Sequence, residues 1–363
     1  MKVGIITFHA SHNYGSMLQA YALQQTVIAL GHECEIINLR TKAQKDMYKP
    51  FYRQHGWIKK AKAIRYPFLT IDDIKKHSLF ENFLNHKLIL SSATFSSVKE
   101  LEGAQLDYDC YISGSDQIWN TWCTDFSTAY YLDFVKTGKR IAYAPSMGPK
   151  PCRNDEAFKI FIYKCLSRYD SISVREPDTS KRIQQISGRY ASVVADPTLL
   201  LLPSAWSTLA GETPLVKGEY ILLYTPWYES YRDLYVQATK TAKQNGIRVI
   251  CTTPEGYRAW HNEDNFDYYT AVGPIEFVNL IKFSRGAMCG SFHGVVFSLL
   301  FNKPFYAYKG MEDSRISHLL ELTGLQKCAY SPVFDLSHEF TYDCDKLRSF
   351  IETSRQFLQD SLK

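Results

Sequence analysis

Residues 2–8 (KVGIITF) form a short apolar, β-branched run that breaks into a polar stretch at His9. Over residues 16–30 the apolar positions Met17, Leu18, Tyr21, Ala22, Leu23, Val27, Ile28 and Leu30 recur at helical spacing, and Gly31 supplies a stop. Residues 33–39 (ECEIINL) read as a second strand. Strand, helix and strand in so short a span predict a βαβ unit and hence a parallel sheet. The pattern recurs. Strands are expected at 108–113, 140–144, 171–174 and 192–195. After Pro203 a new cycle begins, with strands at 219–225, 247–252, 287–289 and 305–308. Helices are expected at 230–244, 275–283, 293–301, 315–322 and 344–362. The chain therefore divides into a domain over 1–195, a hinge over 196–217 where proline, serine and Gly211 gather, and a domain over 218–363. Whether the last helix returns to the first domain is left open by the pattern.

The length of 363 residues agrees with two domains. A hydrophobic share of 45% and a charged share of 22% exclude a disordered, collagen-like or disulfide-stapled chain. No apolar run reaches the roughly 18 residues of a membrane-spanning helix, and the N-terminal run lacks the features of a secretory signal. Nine scattered cysteines, odd in number and without a CxxC pair, point to reduced thiols and a cytoplasmic location. Aromatic residues at 14% supply core area, and can also stack on sugars. The net charge of +5 is uneven. Residues 40–66 hold nine Lys and Arg against Asp46, a local +8 that leaves −3 for the rest, and interleave Tyr48, Phe51, Tyr52, Trp57 and Tyr66. No RNA- or DNA-binding motif accompanies this stretch, so nucleic acid is not an expected partner.

Four loops fall at the ends of expected strands, where open α/β sheets bind ligands. The first is 9–15 (HASHNYG). Asn13, Tyr14 and Gly15 there offer a tight turn and helix N–H groups to a hydroxyl or anion; a simple βα turn explains them equally well. The second is 114–120 (GSDQIWN), with Ser115, Asp116 and Gln117 as hydrogen-bonding groups and Trp119 as a stacking face. The plain alternative for Asp116 is a helix cap. In the third, 174–176 (VRE), Arg175 presents a guanidinium fork suited to a carboxylate or phosphate, unless it only pairs with Glu176. The fourth is 290–294 (GSFHG), where His293 stands between glycines at a strand-to-helix junction and can exchange a proton near neutral pH. Ser291 and Gly294 add hydrogen-bonding and close-approach positions, and Lys309 and Arg315 can extend an anionic pocket. The spacing of His9, His12 and His293 matches no metal-ligand pattern. P-loop, HExxH, GxSxG and kinase signatures are absent from the sequence.

The blocks GIITFHASHNYGSMLQAYALQQ, DCYISGSDQIWN, YYLDFV, RIAYAPSMG, SISVRE, ADPTLLL, GPIEFVNLIK, GSFHGVVFSLLFNKPF and DSRISHLLELTGL occur in this order over nearly the whole chain. Together they resemble the polysaccharide pyruvyl transferase family. The resemblance implies an α/β fold of GT-B glycosyltransferase type, two Rossmann-like domains facing across a cleft, with the acceptor on the N-terminal side and the donor on the C-terminal side. It implies phosphoenolpyruvate as co-substrate, no further cofactor and no metal. The acceptor is then a sugar, free or lipid-linked, in a capsular, exo- or cell-wall polysaccharide precursor, and the product a pyruvate ketal with release of phosphate. Arg175 and Lys309 look like the family's donor-binding pair, with Ser291, Gly294 and Arg315 beside them. His293 is the candidate general acid and Asp116 the candidate base, with the two roles open to exchange. Asn13, Tyr14, Gly15, Ser115, Gln117 and Trp119 are the candidates for acceptor binding.

The resemblance says little about residues 40–100, a basic and aromatic insertion. Segment 40–66 is a candidate for peripheral contact with an anionic membrane face, where each basic residue contributes ~1 kcal/mol; a solvated basic helix is the plain alternative. Two other functions compete. One is a nucleotide-sugar glycosyltransferase of the same fold, for which the second domain lacks a paired-glutamate motif. The other is a catalytically silent relative that binds glycans, against which Asp116, Arg175, His293 and Lys309 all stand in place.

Overall fold

A computed structural model describes residues 1–49, 67–150, 156–226, 232–252, 266–332, 336, 340–342 and 344–363. The chain forms two compact units. The first comprises Met1–Lys49, Glu81–Leu201 and Leu347–Lys363, and the second Pro50–Phe80 and Leu202–Lys346. The division is thus not a single cut in the chain.

The first unit is built on a seven-stranded sheet: β1 (Lys2–Ile6), β2 (Glu33–Leu39), β3 (Leu90–Phe95), β4 (Cys110–Ser113), β5 (Lys139–Ala142), β6 (Ser171–Val174) and β7 (Ser192–Val193). Their order is β3-β2-β1-β4-β5-β6-β7, and every pairing is parallel. The central strands are short and almost wholly buried, serines included, as befits a parallel sheet covered on both faces. Helix Tyr14–Ala29 is buried on most of its circumference, including Gln19 and Gln24. Gln24 is tolerated because its amide grips Ile89 in both directions: Nε2 donates to the Ile89 carbonyl at 2.8 Å and Oε1 accepts from the Ile89 N–H at 3.0 Å. That clamp anchors the start of β3, an edge strand whose sequence, LSSATF, carries little strand signal. The last helix, Asp345–Ser361, belongs to this unit. Ser354 Oγ accepts from the Ala195 N–H at 2.8 Å, and Lys139 Nζ donates to the Ser361 carbonyl at 3.2 Å.

The second unit carries five parallel strands, β8 (Tyr220–Tyr224), β9 (Arg248–Cys251), β10 (Phe266–Tyr268), β11 (Gly286–Cys289) and β12 (Phe305–Ala307), ordered β10-β9-β8-β11-β12. Both sheets therefore have the Rossmann arrangement, in which strand order reverses beside the first strand of the unit. The high aromatic content goes into the two interiors. In the first, Trp119 stacks on Tyr131 with ring centroids 5.0 Å apart, with Tyr169, Phe126 and Phe158 around them. In the second, Trp206 meets Phe297 edge-on at 4.9 Å and Phe277 continues the cluster.

No helix among the described residues is long and apolar enough to cross a membrane. Most of the basic aromatic stretch, residues 50–66, lies outside the described residues. Its described start is helix Lys42–Tyr48. Arg40, counted above as part of a basic surface, instead forms two hydrogen bonds to Glu81, and Lys49 pairs with Asp46.

Candidate functional site

In the first unit, strand order reverses between β1 and β4, and the segments after these two strands meet. Gly114 ends β4 with φ +135°, its N–H still bonded to the Ile6 carbonyl of β1 at 3.1 Å. Asp116 follows with a positive φ of 73° and bridges to Pro145 after β5. This backbone turns the Asp116 carboxylate toward the neighbouring strand ends. Its Oδ2 accepts from Ser16 Oγ at 2.6 Å, in the first turn of helix Tyr14–Ala29. Its Oδ1 lies 3.4 Å from Arg175 at the end of β6. Asp116 is 7% exposed, so it keeps an edge to solvent.

Arg175 is the hub of a buried network. Its NH1 donates to Asp196 Oδ2 at 3.0 Å, and Glu176 Oε2 lies 3.9 Å from its Nε. Asp196 in turn accepts from both the N–H and the hydroxyl of Thr198, at 3.0 and 2.7 Å. One guanidinium thus faces three enclosed carboxylates. Arg175, expected above to offer its fork to a donor anion, is 2% exposed, and its fork contacts Asp196 and Asp116. The segment 196–197, read above as the start of a hinge, contributes Asp196 to this network.

The acceptor candidates separate on burial. Asn13 is exposed and caps its helix, Oδ1 accepting from the Gly15 and Ser16 N–H groups. Gln117 is half-buried and takes a hydrogen bond from Asn120 at 2.8 Å. Tyr14, Gly15, Ser115 and Trp119 lie in the interior. Ser115 is held by Gln19 through its N–H and by the Ala144 carbonyl through its hydroxyl. Trp119 gives its indole N–H to the Tyr130 carbonyl at 2.9 Å. Trp119 is therefore a core residue and not a stacking face. The indole that reaches solvent on this loop is Trp122, 60% exposed, with Lys150 Nζ 5.5 Å from its ring. Asp125 lies farther along the same segment, and its Oδ2 accepts from Ser11 at 2.5 Å and from Tyr48 at 3.0 Å.

Beside this cluster, His9 is buried with its ring nitrogens 3.1 Å from the Thr7 carbonyl and from Asn38 Oδ1, and burial lowers its pKa. Glu81 receives His12 at 3.0 Å and Arg40 at 2.8 Å. Burial alone would raise its pKa, but these hydrogen bonds and charges hold it at about 2, down from 4.5. A depressed carboxylate contributes stability that is present above its unfolded pKa and lost as pH falls toward the folded value. Between about pH 4.5 and pH 2 the first unit is expected to lose on the order of 2–3 kcal/mol from this group. Glu81→Gln should flatten the acid limb of a urea-midpoint series by that amount, and an unchanged limb would show the pairing to be inconsequential.

In the second unit the reversal lies between β8 and β11. Ser291 caps helix Phe292–Leu300, its Oγ accepting from the Gly294 N–H at 3.1 Å. That bond uses the Gly294 N–H and one lone pair of Ser291, and leaves the Ser291 hydroxyl proton to donate. Gly294 is required by packing: a Cβ there would sit 2.8 Å from Cys289 Sγ on β11. His293 lies in the helix's first turn, 8% exposed, its ring edge-on to Phe292 at 5.2 Å. Lys309 follows β12 in a left-handed conformation, φ 54°, with Nζ 5.6 Å from the Tyr308 ring. Arg315 grips Asp313 with two nitrogens and lies 5.9 Å from the Phe292 ring. Its charge is thus largely spent on Asp313.

The sequence matches the model of the polysaccharide pyruvyl transferase family over residues 13–309, a span containing every candidate named above except Arg315. The chain belongs to the polysaccharide pyruvyl transferase family. This is a family of transferases in polysaccharide biosynthesis. No curated protein matches the chain. Among solved structures, a UDP-GlcNAc 2-epimerase from Methanocaldococcus jannaschii, solved with UDP-GlcNAc and UDP, is 11% identical with a TM-score of 0.58, covering 99% of each chain. A protein from Listeria monocytogenes described as a UDP-N-acetylglucosamine 2-epimerase is 9% identical with a TM-score of 0.53, covering 99% of this chain and 90% of its own. At such identities the likeness is one of fold: two Rossmann-like α/β units of GT-B type.

Proposed function

We propose that this pyruvyl transferase family member moves the pyruvyl group of phosphoenolpyruvate onto two hydroxyls of a sugar in a polysaccharide precursor, forming a ketal and releasing phosphate. The observation that carries the reading is the family match, joined by the position of its polar residues. Asp116 and His293 each follow the strand that flanks the order reversal of their own sheet. In this reading the methylene carbon of the donor receives a proton from His293, C2 becomes electrophilic, and a sugar hydroxyl attacks as Asp116 takes its proton. Lys309 faces the anionic donor, and Arg175 orients Asp116 rather than binding substrate.

Phosphoenolpyruvate, and not UDP-sugars, is expected to raise the melting temperature. Incubation with a panel of galactose-, mannose- and N-acetylhexosamine-terminated acceptors should release phosphate together with a product of added pyruvate mass. His293→Ala should lower kcat by about 10²–10⁴-fold. Stabilisation by UDP-sugars alone would instead favour a nucleotide-sugar enzyme. Full phosphate release by His293→Ala would remove that residue from the mechanism.

A further inference from the structure

A ketal joins two hydroxyls to one carbon, so two hydroxyl protons must leave, and in the reading above Asp116 takes the first. We propose that Asp125, working through Ser11, receives the second, so that the first unit carries two serine–aspartate stations, one for each acceptor hydroxyl. The inference rests on the ketal-forming reading above.

The two stations are built alike. Ser16 Oγ donates to Asp116 Oδ2 at 2.6 Å, and Ser11 Oγ donates to Asp125 Oδ2 at 2.5 Å. The serines flank the exposed Asn13 after β1, and both aspartates lie in the segment after β4. Tyr48 donates a second hydroxyl to Asp125 Oδ2 at 3.0 Å, and Gln44 Nε2 lies 3.5 Å from Ser11 Oγ. Asp125 Oδ1 is enclosed and has no hydrogen-bond partner among the described residues. The ionisable groups facing Asp125 are Tyr48, Tyr130 and Asp116, with Cys123 close to both tyrosines; His12 stacks on Tyr48 at 5.0 Å and is paired with Glu81. No Lys or Arg pairs with Asp125 among the described residues, in contrast to Asp116 with Arg175. Burial raises the Asp125 pKa more than the hydrogen bonds from Ser11, Tyr48 and Gln44 lower it, and the nearby charge of Asp116 adds a smaller rise. Such a carboxylate favours taking a proton, as a terminal acceptor must.

The balance runs in two steps. In the first, one hydroxyl oxygen bonds to C2, its proton passes to Asp116, and the double-bond pair takes a proton at the methylene carbon. In the second, the other hydroxyl oxygen bonds to C2 while the C2–O bond to phosphate breaks, and phosphate leaves with the electron pair and takes up a proton; the protons held by Asp116 and Asp125 then replace, through solvent, those given to phosphate and, by His293, to the methylene carbon. That hydroxyl's proton moves to Ser11 Oγ as the Ser11 proton moves to Asp125. Ser11 touches the hydroxyl, and Asp125 is a positioning residue behind it.

The test is single-turnover quench with mass detection of the sugar products, on wild type, Asp125→Asn, Asp125→Glu and Ser11→Ala. Asp125→Asn should leave the thermal shift with phosphoenolpyruvate intact, slow ring closure about a hundredfold, and accumulate an open adduct that still carries phosphate. Asp125→Glu should recover part of the rate. With an acceptor lacking the second hydroxyl, wild type and Asp125→Asn should form the open adduct at equal rates. Equal slowing on one- and two-hydroxyl acceptors, or unchanged closure, overturns the proposal. Should Asp125→Asn fail to fold, Ser11→Ala decides, with slowed closure expected and an unchanged rate overturning it. Wild-type protein that releases no phosphate with any acceptor removes the transferase reading, and this inference with it.

Discussion

Arg175→Ala is expected to destabilise the first unit by roughly 3–5 kcal/mol, because it removes the guanidinium that three enclosed carboxylates share. The side chains of Asp196, Glu176 and Asp116 are all nearly inaccessible, and the guanidinium faces all three. Thr198 hydrogen bonds offset part of the desolvation of Asp196 but supply no charge. Lysine should rescue little, since a point charge does not span Asp196 and Asp116 as the planar fork does. Neutralising a partner should rescue more. In Arg175→Ala/Asp196→Asn the loss should be smaller than the sum of the single losses, by about 0.5–3 kcal/mol for residues in one network. Urea unfolding of the four variants, followed by a probe on the first unit, measures this. A loss under about 1 kcal/mol for Arg175→Ala would mean that water or protonation already compensates these carboxylates. The same variant separates two roles: a donor-binding arginine would lose affinity for phosphoenolpyruvate at little cost in stability, whereas a network hub loses stability first.

The chemistry was more legible in the sequence than its geometry. Strand-end loops could be found because short β-rich runs stop at 113, 174 and 289, and polar residues or glycines cluster just beyond them. Residue type alone did not separate Arg175 as a substrate cation from Arg175 as an internal counter-ion. The difference lies in Asp196, twenty-one residues away, reaching it from the end of the segment after β7. Trp119 and Trp122 share a loop and a residue type, yet one meets Tyr131 in the core and the other meets solvent. Ser11, Tyr48 and Asp125 come from three distant stretches, so no local pattern announces their convergence. Strand β3 escaped because its pairing leans on a glutamine side chain of another element and not on an apolar run of its own.

Gly114→Ala is expected to be at least as damaging, for a reason confined to backbone. A Cβ at position 114 would lie 1.9 Å from the Tyr143 carbonyl oxygen and 2.9 Å from its carbon. These are main-chain atoms after β5, and the Tyr143 N–H is itself tied to the Ser113 carbonyl at 2.9 Å, so neither side can yield without breaking the sheet edge. The φ of +135° adds strain that essentially glycine alone avoids. Together these should cost upwards of about 4 kcal/mol, the range reached by severe steric defects in a packed interior, and displace Asp116 two residues on. Gly188→Ala is the control. Gly188 also has a positive φ, 69°, at the end of helix Pro177–Ser187, but nothing lies within 4 Å of a Cβ there. Its cost should stay near 1–2 kcal/mol, that of a left-handed non-glycine residue alone. Urea midpoints of the two variants measure the difference, and near-UV circular dichroism reports whether the Trp119 environment survives. Equal losses for the two would show that the end of β4 can shift, and Asp116 would then be aimed by its hydrogen bonds to Ser16 and Arg175 rather than by the main chain beneath it.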